Sequence, residues 1–486
     1  MFHFEIPYLT LLVLLSIYGA QRLWLVVELF ARLKWGWGNP ALSQSATPVD
    51  ARDSKAVDAV LGSSVLLQLP VYNDGDVFIR LLDSVRELDW PQDRLLVQVL
   101  DDSNDGSSDE IASRVAVLQD AGFRIEHLRR SERLGYKAGA LAEGLSKCDF
   151  PFVAMFDSDF VIPTDFLRRA LVEFADERVA FVQGRWGFAN EDDSFLTKVQ
   201  ALMLDGHFAI EHRVRALAGR FFNFNGTAGV WRRAAIDDAG GWTSDSITED
   251  LDLSLRAWLA GWEFRYLDDL VAMSDLPVRM SAYRTQQNRW ISGSIQTAMT
   301  YLPKILSSPV SYTRRLDLLL AITGNLCYPL IVALAFALPH AIAIRLAQRD
   351  AFLLYADLPF FLFATGSVAL FYWCARGRRK TITTLVNIPI LMALGMGMTL
   401  HNSRAVLRGV TGSARVFERT PKGDGGGSTS PTRNGGLRWL EAGMLLYLLS
   451  IVFYAAPVAL YSLPLIGLLA FGYGLVLVAQ RPRRER

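Results

Sequence analysis

Cysteine is scarce in this chain. Its 486 residues hold three, Cys148, Cys327 and Cys374. They stand far apart, with no CxxC pair and no Cys/His cluster, so neither a disulfide framework nor a zinc site is expected. An excess of charge of either sign is also missing. Fifty Lys and Arg face 49 Asp and Glu, a formal net charge of +1. No bulk polyanion is implied, and hence no nucleic-acid partner. The N-terminal apolar run, Tyr8 to Val27, lacks a basic n-region before it and a small-residue cleavage site after it. A retained membrane anchor is therefore expected rather than a removed signal peptide.

What the chain has in quantity is apolar sequence. Hydrophobic residues make up 51% and the mean hydropathy is +0.21, above the ordinary soluble range. Four long apolar blocks lie in the C-terminal half: Leu316 to Leu338, Phe352 to Cys374, Leu440 to Leu460 and Leu463 to Val478. A fifth, Thr381 to Leu400, is rich in Gly and Met and holds a proline. Basic clusters follow the second block (Arg376, Arg378, Arg379, Lys380), the Gly/Met block (Arg404, Arg408, Arg415, Arg419, Lys422) and the last block (Arg481, Arg483, Arg484, Arg486). All three can be cytoplasmic only if the Gly/Met block does not cross. It is expected to be interfacial or re-entrant, with a simple further span as the alternative. The stretch 423–436 reads as a flexible loop by composition.

Between the first span and these blocks the sequence is ordinary globular chain. Short apolar runs end in polar clusters: "VLLQLPVYND" from Val65, "LLVQVLDDSNDGSSD" from Leu95 and "PFVAMFDSDF" from Pro151. Helix-like stretches at 76–88 and 108–122 separate them. Strands alternating with helices imply a mostly parallel sheet covered on both faces. Ligands of such sheets bind beyond the carboxyl ends of the strands, where Asp101, Asp102, Asp157 and Asp159 fall. Residues two apart on an extended segment share a side, so Asp157 and Asp159 are expected to face one site. Two oxygen donors suit Mg²⁺ or Mn²⁺ shared with substrate phosphates. In "SERLGYKAGALAEG", glycines permit close backbone approach and Lys137 supplies a point charge for phosphate. In "DSITEDLDLSLRAW", Thr248 is expected to cap a helix whose first turn carries Glu249, Asp250 and Asp252. A carboxylate there, beside a metal-diphosphate site, would also suit a general base.

Taken together, these motifs resemble the processive, membrane-embedded family 2 glycosyltransferases, the group of cellulose, hyaluronan and chitin synthases, over about 65–422. "VQGRWGFAN" and "FNGTAGVWRR" look most like the cellulose-synthase-like mannan and glucan synthases. The resemblance implies a GT-A-type α/β domain inserted between transmembrane helices. It implies nucleotide and diphosphate contacts from Pro70, Tyr72, Asp101, Asp102, Lys137, Arg289, Arg419 and Lys422, and metal ligation by Asp157 and Asp159. It makes Asp250 of the Thr248-Glu249-Asp250 motif the catalytic base. Gln286 and Trp290 of the Q-x-x-R-W motif, with Glu249 and Phe224, become acceptor contacts. Phe417 to Lys422, "FERTPK", resembles a loop that closes over bound nucleotide. The chain ends in "RPRRER", with no cyclic-di-GMP-binding module after the last block. That departs from bacterial cellulose synthases.

The domain expectation is an N-terminal transmembrane helix (1–35), a cytoplasmic catalytic domain (60–300) and interfacial and transmembrane helices (301–410). A gating-like loop (411–437) and a C-terminal transmembrane hairpin (438–480) complete it. The functional expectation is an inverting, processive β-glycosyltransferase of a plasma or inner membrane that exports its glycan through its own helices. Its partners would be a nucleotide sugar, a growing glycan, the bilayer and accessory export or regulatory proteins. The donor reading leans to UDP-glucose, with GDP-mannose as the other route. The alternative function is a non-processive transferase acting on a lipid acceptor. A transporter or scaffold with an inert α/β domain fits less well, because the set of aspartates is intact.

Overall fold

The computed structural model describes residues 5–35, 54–348, 359–360, 362–377, 381–413, 435–456 and 463–480. Seven strands form one sheet: β1 (Val65–Val71), β2 (Leu95–Asp101), β3 (Ile125–Arg129), β4 (Phe152–Met155), β5 (Val179–Phe188), β6 (Gly229–Arg232) and β7 (Glu263–Ser274). Their order is β3-β2-β1-β4-β6-β5-β7. All neighbours pair in parallel except β6, which runs antiparallel to β4 and β5. The expected mostly parallel sheet is present.

The strands read as continuous apolar runs because both faces are covered. Side chains alternate across the sheet. Leu66 packs on one side with Leu141, Phe181 and Trp231. Val65, Leu67 and Leu69 pack on the other with Phe78, Ile111 and Phe166. A polar ladder crosses the first of these layers. Gln68 donates to Gln98 Oε1 at 3.1 Å, and Gln98 donates to Glu126 Oε2 at 3.3 Å. The strand register sets Gln68 opposite Gln98 and Gln98 opposite Glu126. Pairing them matters more than the net gain per bond, because an unpaired buried amide costs about 1–3 kcal/mol.

Helices Gly75–Arg86 and Ser107–Asp120 follow β1 and β2 within a residue or two of the expected bounds. Helix Met280–Ser307 follows β7 and carries the Q-x-x-R-W residues. It runs through position 300, so the expected domain boundary falls inside an element. At its start Arg284, 4% exposed, forms an ion pair with Glu441 at 2.6 Å. His401 Nδ1 lies 3.2 Å from the same guanidinium, and Gln480 donates to Glu441 at 3.0 Å. These groups bind the start of this helix to Thr399–Val410 and Gly435–Ala455.

Among the described residues three helices are long and apolar enough to cross a membrane: Ile6–Lys34, Tyr312–Ile344 and Gly436–Ala455. Leu362–Ala375 and Leu463–Ala479 are apolar but shorter, so two of the four expected C-terminal blocks do not reach spanning length within the described residues. The Gly/Met block forms Ile382–Gly397, which joins Thr399–Val410 at a bend of 54°. A broken span and a re-entrant segment share that geometry.

Candidate active site

The carboxyl ends of β1, β2 and β4 open onto a cleft of about 160 Å³. Pro70 and Tyr72 come from β1 and its exit, Asp102 from the exit of β2, and Asp157 and Asp159 from the exit of β4. The remaining walls include Lys137, Glu249, Asp250, Gln286, Arg289 and Trp290. Residues up to 220 positions apart in sequence thus meet in one place.

Asp157 and Asp159 both line the cleft, but strand alternation is not the reason. The chain leaves β4 at Met155 and turns, with the Phe160 amide donating to the Asp157 carbonyl at 3.1 Å. Thr227 Oγ1 accepts from the Asp157 amide at 2.8 Å. Ser158, between them, also lines the cleft and donates to Asp74 at 3.0 Å. Asp102 is held bidentately by Arg130 at 2.8 and 2.5 Å. Beside it the Arg133 guanidinium lies 3.5 Å above the Tyr72 ring, a cation–π contact that forms one wall.

Lys137 sits in the first turn of Tyr136–Ser146, behind Gly135, whose φ is +67°. Its Nζ donates to Asp157 Oδ1 at 2.5 Å and to the Gly226 carbonyl at 2.8 Å. Burial pulls its pKa down, and Asp157, Glu249 and Asp250 more than offset this, so the ammonium is held charged. Asp250 lies in the first turn of helix Glu249–Leu259. Burial and neighbouring Glu249 push its pKa up to about 7, against Lys137, the Leu251 amide and Arg289. Thr248 occupies the N-cap position without capping, contrary to expectation; its hydroxyl pairs with Ser246 at 3.1 Å.

Two expected site residues are elsewhere. Phe224 is fully buried and packs edge-on against Phe181 and Trp231. Its amide donates to Ser254 at 2.9 Å. It is core, and the adjacent Asn225 faces the cleft instead. Asp101 is 1% exposed and does not line the cleft. Burial raises its pKa, but His127 at 2.9 Å, Ser108 at 2.5 Å and the Ser103 amide at 2.8 Å hold it well below the usual carboxylate range. Arg419 and Lys422, with the rest of Phe417–Lys422, lie outside the described residues.

A second cavity of about 850 Å³ adjoins the first. Trp186, Leu204, Asn225, Thr248, Asp250 and Trp290 line both. From there the cavity runs between apolar helices to Tyr8, Leu12, Leu334, Leu391 and Leu469. Its entrance is polar. A π-helical stretch, Gly206–His212, presents His207 and Glu211. His207 Nε2 lies 3.2 Å from Asn225 Oδ1 and its ring lies 4.1 Å from that of His212. Burial lowers the pKa of His207 to about 4 and holds that of His212 well below the ordinary imidazole range, so both are neutral. Glu211 pairs with Arg22 of the N-terminal helix. None of these was anticipated. The only signal in the sequence was a His and a Glu four residues apart inside an apolar run.

Among the described residues no group of three His, Cys, Asp or Glu is arranged to hold a metal. Asp157 and Asp159 supply two hard oxygen-bearing side chains, which fits an ion completed by substrate phosphates rather than by an all-protein cage.

Comparison with known proteins agrees with this geometry. Residues 152–376 match the family described as "Glycosyl transferase family group 2". Over residues 152–376, a little under half of its length, the chain is therefore similar to family 2 glycosyltransferases. Its seven-stranded mixed sheet, flanked by apolar helices, is in line with the GT-A-type domain that the sequence resemblance implies. The chain is 43% identical over 247 residues to glucomannan 4-beta-mannosyltransferase 2 of Arabidopsis thaliana, covering 49% of this chain and 46% of that protein. It is 41% identical over 261 residues to "Probable glucomannan 4-beta-mannosyltransferase 6" of Oryza sativa subsp. japonica, covering 52% and 45%. It thus spans about half the length of these curated relatives. Both are named as glucomannan mannosyltransferases, in line with the resemblance of "VQGRWGFAN" and "FNGTAGVWRR" to mannan synthases. Among solved structures, the mannosyltransferase PcManGT from Pyrobaculum calidifontis in complex with GDP-Man and Mn²⁺ aligns with TM-score 0.47 and 19% identity, over 81% of this chain and 99% of that one.

Proposed function

We propose that this protein transfers mannosyl units from a nucleotide sugar, GDP-mannose, to the end of a growing β-linked glycan, inverting the anomeric centre. The observation that carries this reading is the position of Asp250, on the wall common to the strand-end cleft and the long cavity. The mannosyl assignment replaces the lean to UDP-glucose, because the curated relatives are named as mannosyltransferases.

In this reading Asp250 accepts the proton of the acceptor hydroxyl as that oxygen bonds to the sugar C1. The bond from C1 to the diphosphate oxygen breaks and the nucleoside diphosphate leaves. One direct displacement converts an α-linked donor into a β-linkage. A base near pKa 7 suits proton transfer at neutral pH. Lys137 and Arg289 face the departing diphosphate with fixed positive charge. Mg²⁺ or Mn²⁺ bound by Asp157 and Asp159 would supply further charge neutralisation there. Trp290 offers an apolar ring face for the terminal sugar, holding its hydroxyl near Asp250. Gln286 and Glu249 lie within the same walls. Tyr72, Asp102 and Arg133 form the side that would take the nucleoside.

The long cavity supports a processive enzyme, since its entrance of Asn225, His207 and Glu211 can meet sugar hydroxyls. The basic clusters support a cytoplasmic catalytic domain on a multi-pass membrane protein. One observation favours a second reading, a lipid-linked acceptor: the inner walls (Leu12, Leu334, Leu391, Leu469) are aliphatic. The product decides. Purified protein with GDP-mannose and Mn²⁺ should yield high-mass β-mannan, whereas a single mannose on an extractable lipid would select the second reading.

A further inference from the structure

The carboxylates of the donor cleft enclose a cation that the protein itself supplies. Lys137 Nζ lies 2.5 Å from Asp157 Oδ1, 3.8 Å from Glu249 Oε1 and 2.8 Å from the Gly226 carbonyl oxygen. Asp250 completes the ring. Gly226 is what lets these groups converge. Its φ is +78°, and a Cβ there would stand 2.9 Å from Asp250 Oδ2 and 3.4 Å from Lys137 Nζ. The ammonium is backed by Tyr136–Ser146, whose first turn is set by two consecutive left-handed residues, Gly135 and Tyr136. Lys137 therefore reaches the carboxylates from a rigid base.

A divalent ion on Asp157 would stand within a few ångströms of this ammonium. Like charges that close repel strongly in a partly buried site. The same ammonium also offsets one unit of the negative charge that would otherwise attract a free ion. A nucleoside diphosphate changes both conditions. It brings its own negative charge, contributes oxygen ligands, and offers the ammonium another partner.

We propose that Lys137 guards the cation position. In the donor-free enzyme it pairs with Asp157 and faces Glu249 and Asp250, and a divalent cation binds tightly only together with the nucleoside diphosphate. The diphosphate draws the ammonium onto its own oxygens and frees Asp157. This rests on the reading of Asp157 and Asp159 as cation ligands. Lys137 is then a positioning residue for metal entry as well as a diphosphate contact. It also keeps a free ion away from Asp250, which must stay available as a base.

The test is Mn²⁺ binding to the full chain in nanodiscs, read from the paramagnetic resonance of free Mn²⁺, with and without GDP or UDP. Wild type should bind Mn²⁺ at least about tenfold more tightly with nucleotide. Lys137→Met should bind nucleotide-free Mn²⁺ about tenfold or more tightly than wild type and lose most of the nucleotide effect. Lys137→Gln should behave like Lys137→Met, and Lys137→Arg, which keeps the charge, should keep nucleotide-free affinity low. Thermal melting of each variant checks folding. Equal nucleotide-free affinity in wild type and the two neutral variants, with nucleotide-dependent binding intact, overturns the proposal and leaves the metal reading standing. Failure of wild type to bind Mn²⁺ with either nucleotide removes the metal reading and this inference with it.

Discussion

The carboxyl of Asp250 sits between burial and Glu249, which favour its neutral form, and Lys137 and Arg289, which favour its charge. The net effect is a group raised to about 7. The base form predominates only above that value, so transfer should show an acidic limb with a midpoint near 7 in kcat/KM. Asp250→Asn should cost about 10²–10⁴-fold in turnover. Stability moves the opposite way. An unfolded aspartate titrates near about 3.9, so the folded chain binds the extra proton between about 4 and 7 and loses stability as pH rises through that window. Asp250→Asn should therefore melt higher than wild type at pH 8, with the gain gone near pH 4. Asp101, held below its ordinary value by His127, Ser108 and Ser103, has the reverse sign. Its stabilisation is present above about 3.9 and is lost as pH falls below it. Asp101→Asn should melt lower than wild type at neutral pH. Opposite shifts in the two variants, measured by thermal unfolding in one buffer series, check both signs. Gly226→Ala combines a strained φ with a Cβ thrust at Asp250. It should abolish transfer while costing about 1–2 kcal/mol of backbone strain.

Helix Met280–Ser307 is the element through which the membrane part reaches the site. Its Gly293 packs against Thr248, immediately before Glu249 and Asp250; a Cβ there would come 2.4 Å from Thr248 Cγ2. Gly293→Ala should displace Thr248 and lower kcat, with a small change in melting temperature. At its start, Arg284 and Glu441 form a buried pair. Arg284→Ala should destabilise the protein by about 3–5 kcal/mol by stranding Glu441, and Arg284→Met with Glu441→Leu should recover most of that. The elements of the globular domain were legible because short, continuous apolar runs mark β1, β2 and β4, and the turn residues after them mark their ends. That also made Asp102, Asp157 and Asp159 findable as cleft residues. The misplacements share a cause. Neighbouring residues such as Asp101 and Asp102, or Phe224 and Asn225, face opposite ways, and motif matching does not say which faces the ligand. The π-helical turn carrying His207 and Glu211 was invisible because it breaks the 3.6-residue period that identifies a helix. Asp157 and Asp159 came together through a turn, not the pleat that had been expected.

At the scale of the whole molecule, the strand-end cleft and the long cavity meet at six residues, with Asp250 and Trp290 among them. In the proposed reading, bond formation takes place at the mouth of a passage between apolar helices. Filling that passage should affect product length and spare donor chemistry. Leu12→Trp is expected to shorten the product while leaving slow donor hydrolysis without acceptor at the wild-type rate, as read by size-exclusion chromatography and nucleotide release. The central claim is mannosyl polymerisation by Asp250-dependent inversion. Its most direct measurement is incubation of the purified full chain with GDP-mannose or UDP-glucose plus Mn²⁺, followed by linkage analysis, with Asp250→Asn in parallel. The expected result is a β-linked mannose polymer from GDP-mannose, little product from UDP-glucose, and none from the variant. A polymer formed only from UDP-glucose, an α-linked product, or equal product from Asp250→Asn would contradict it.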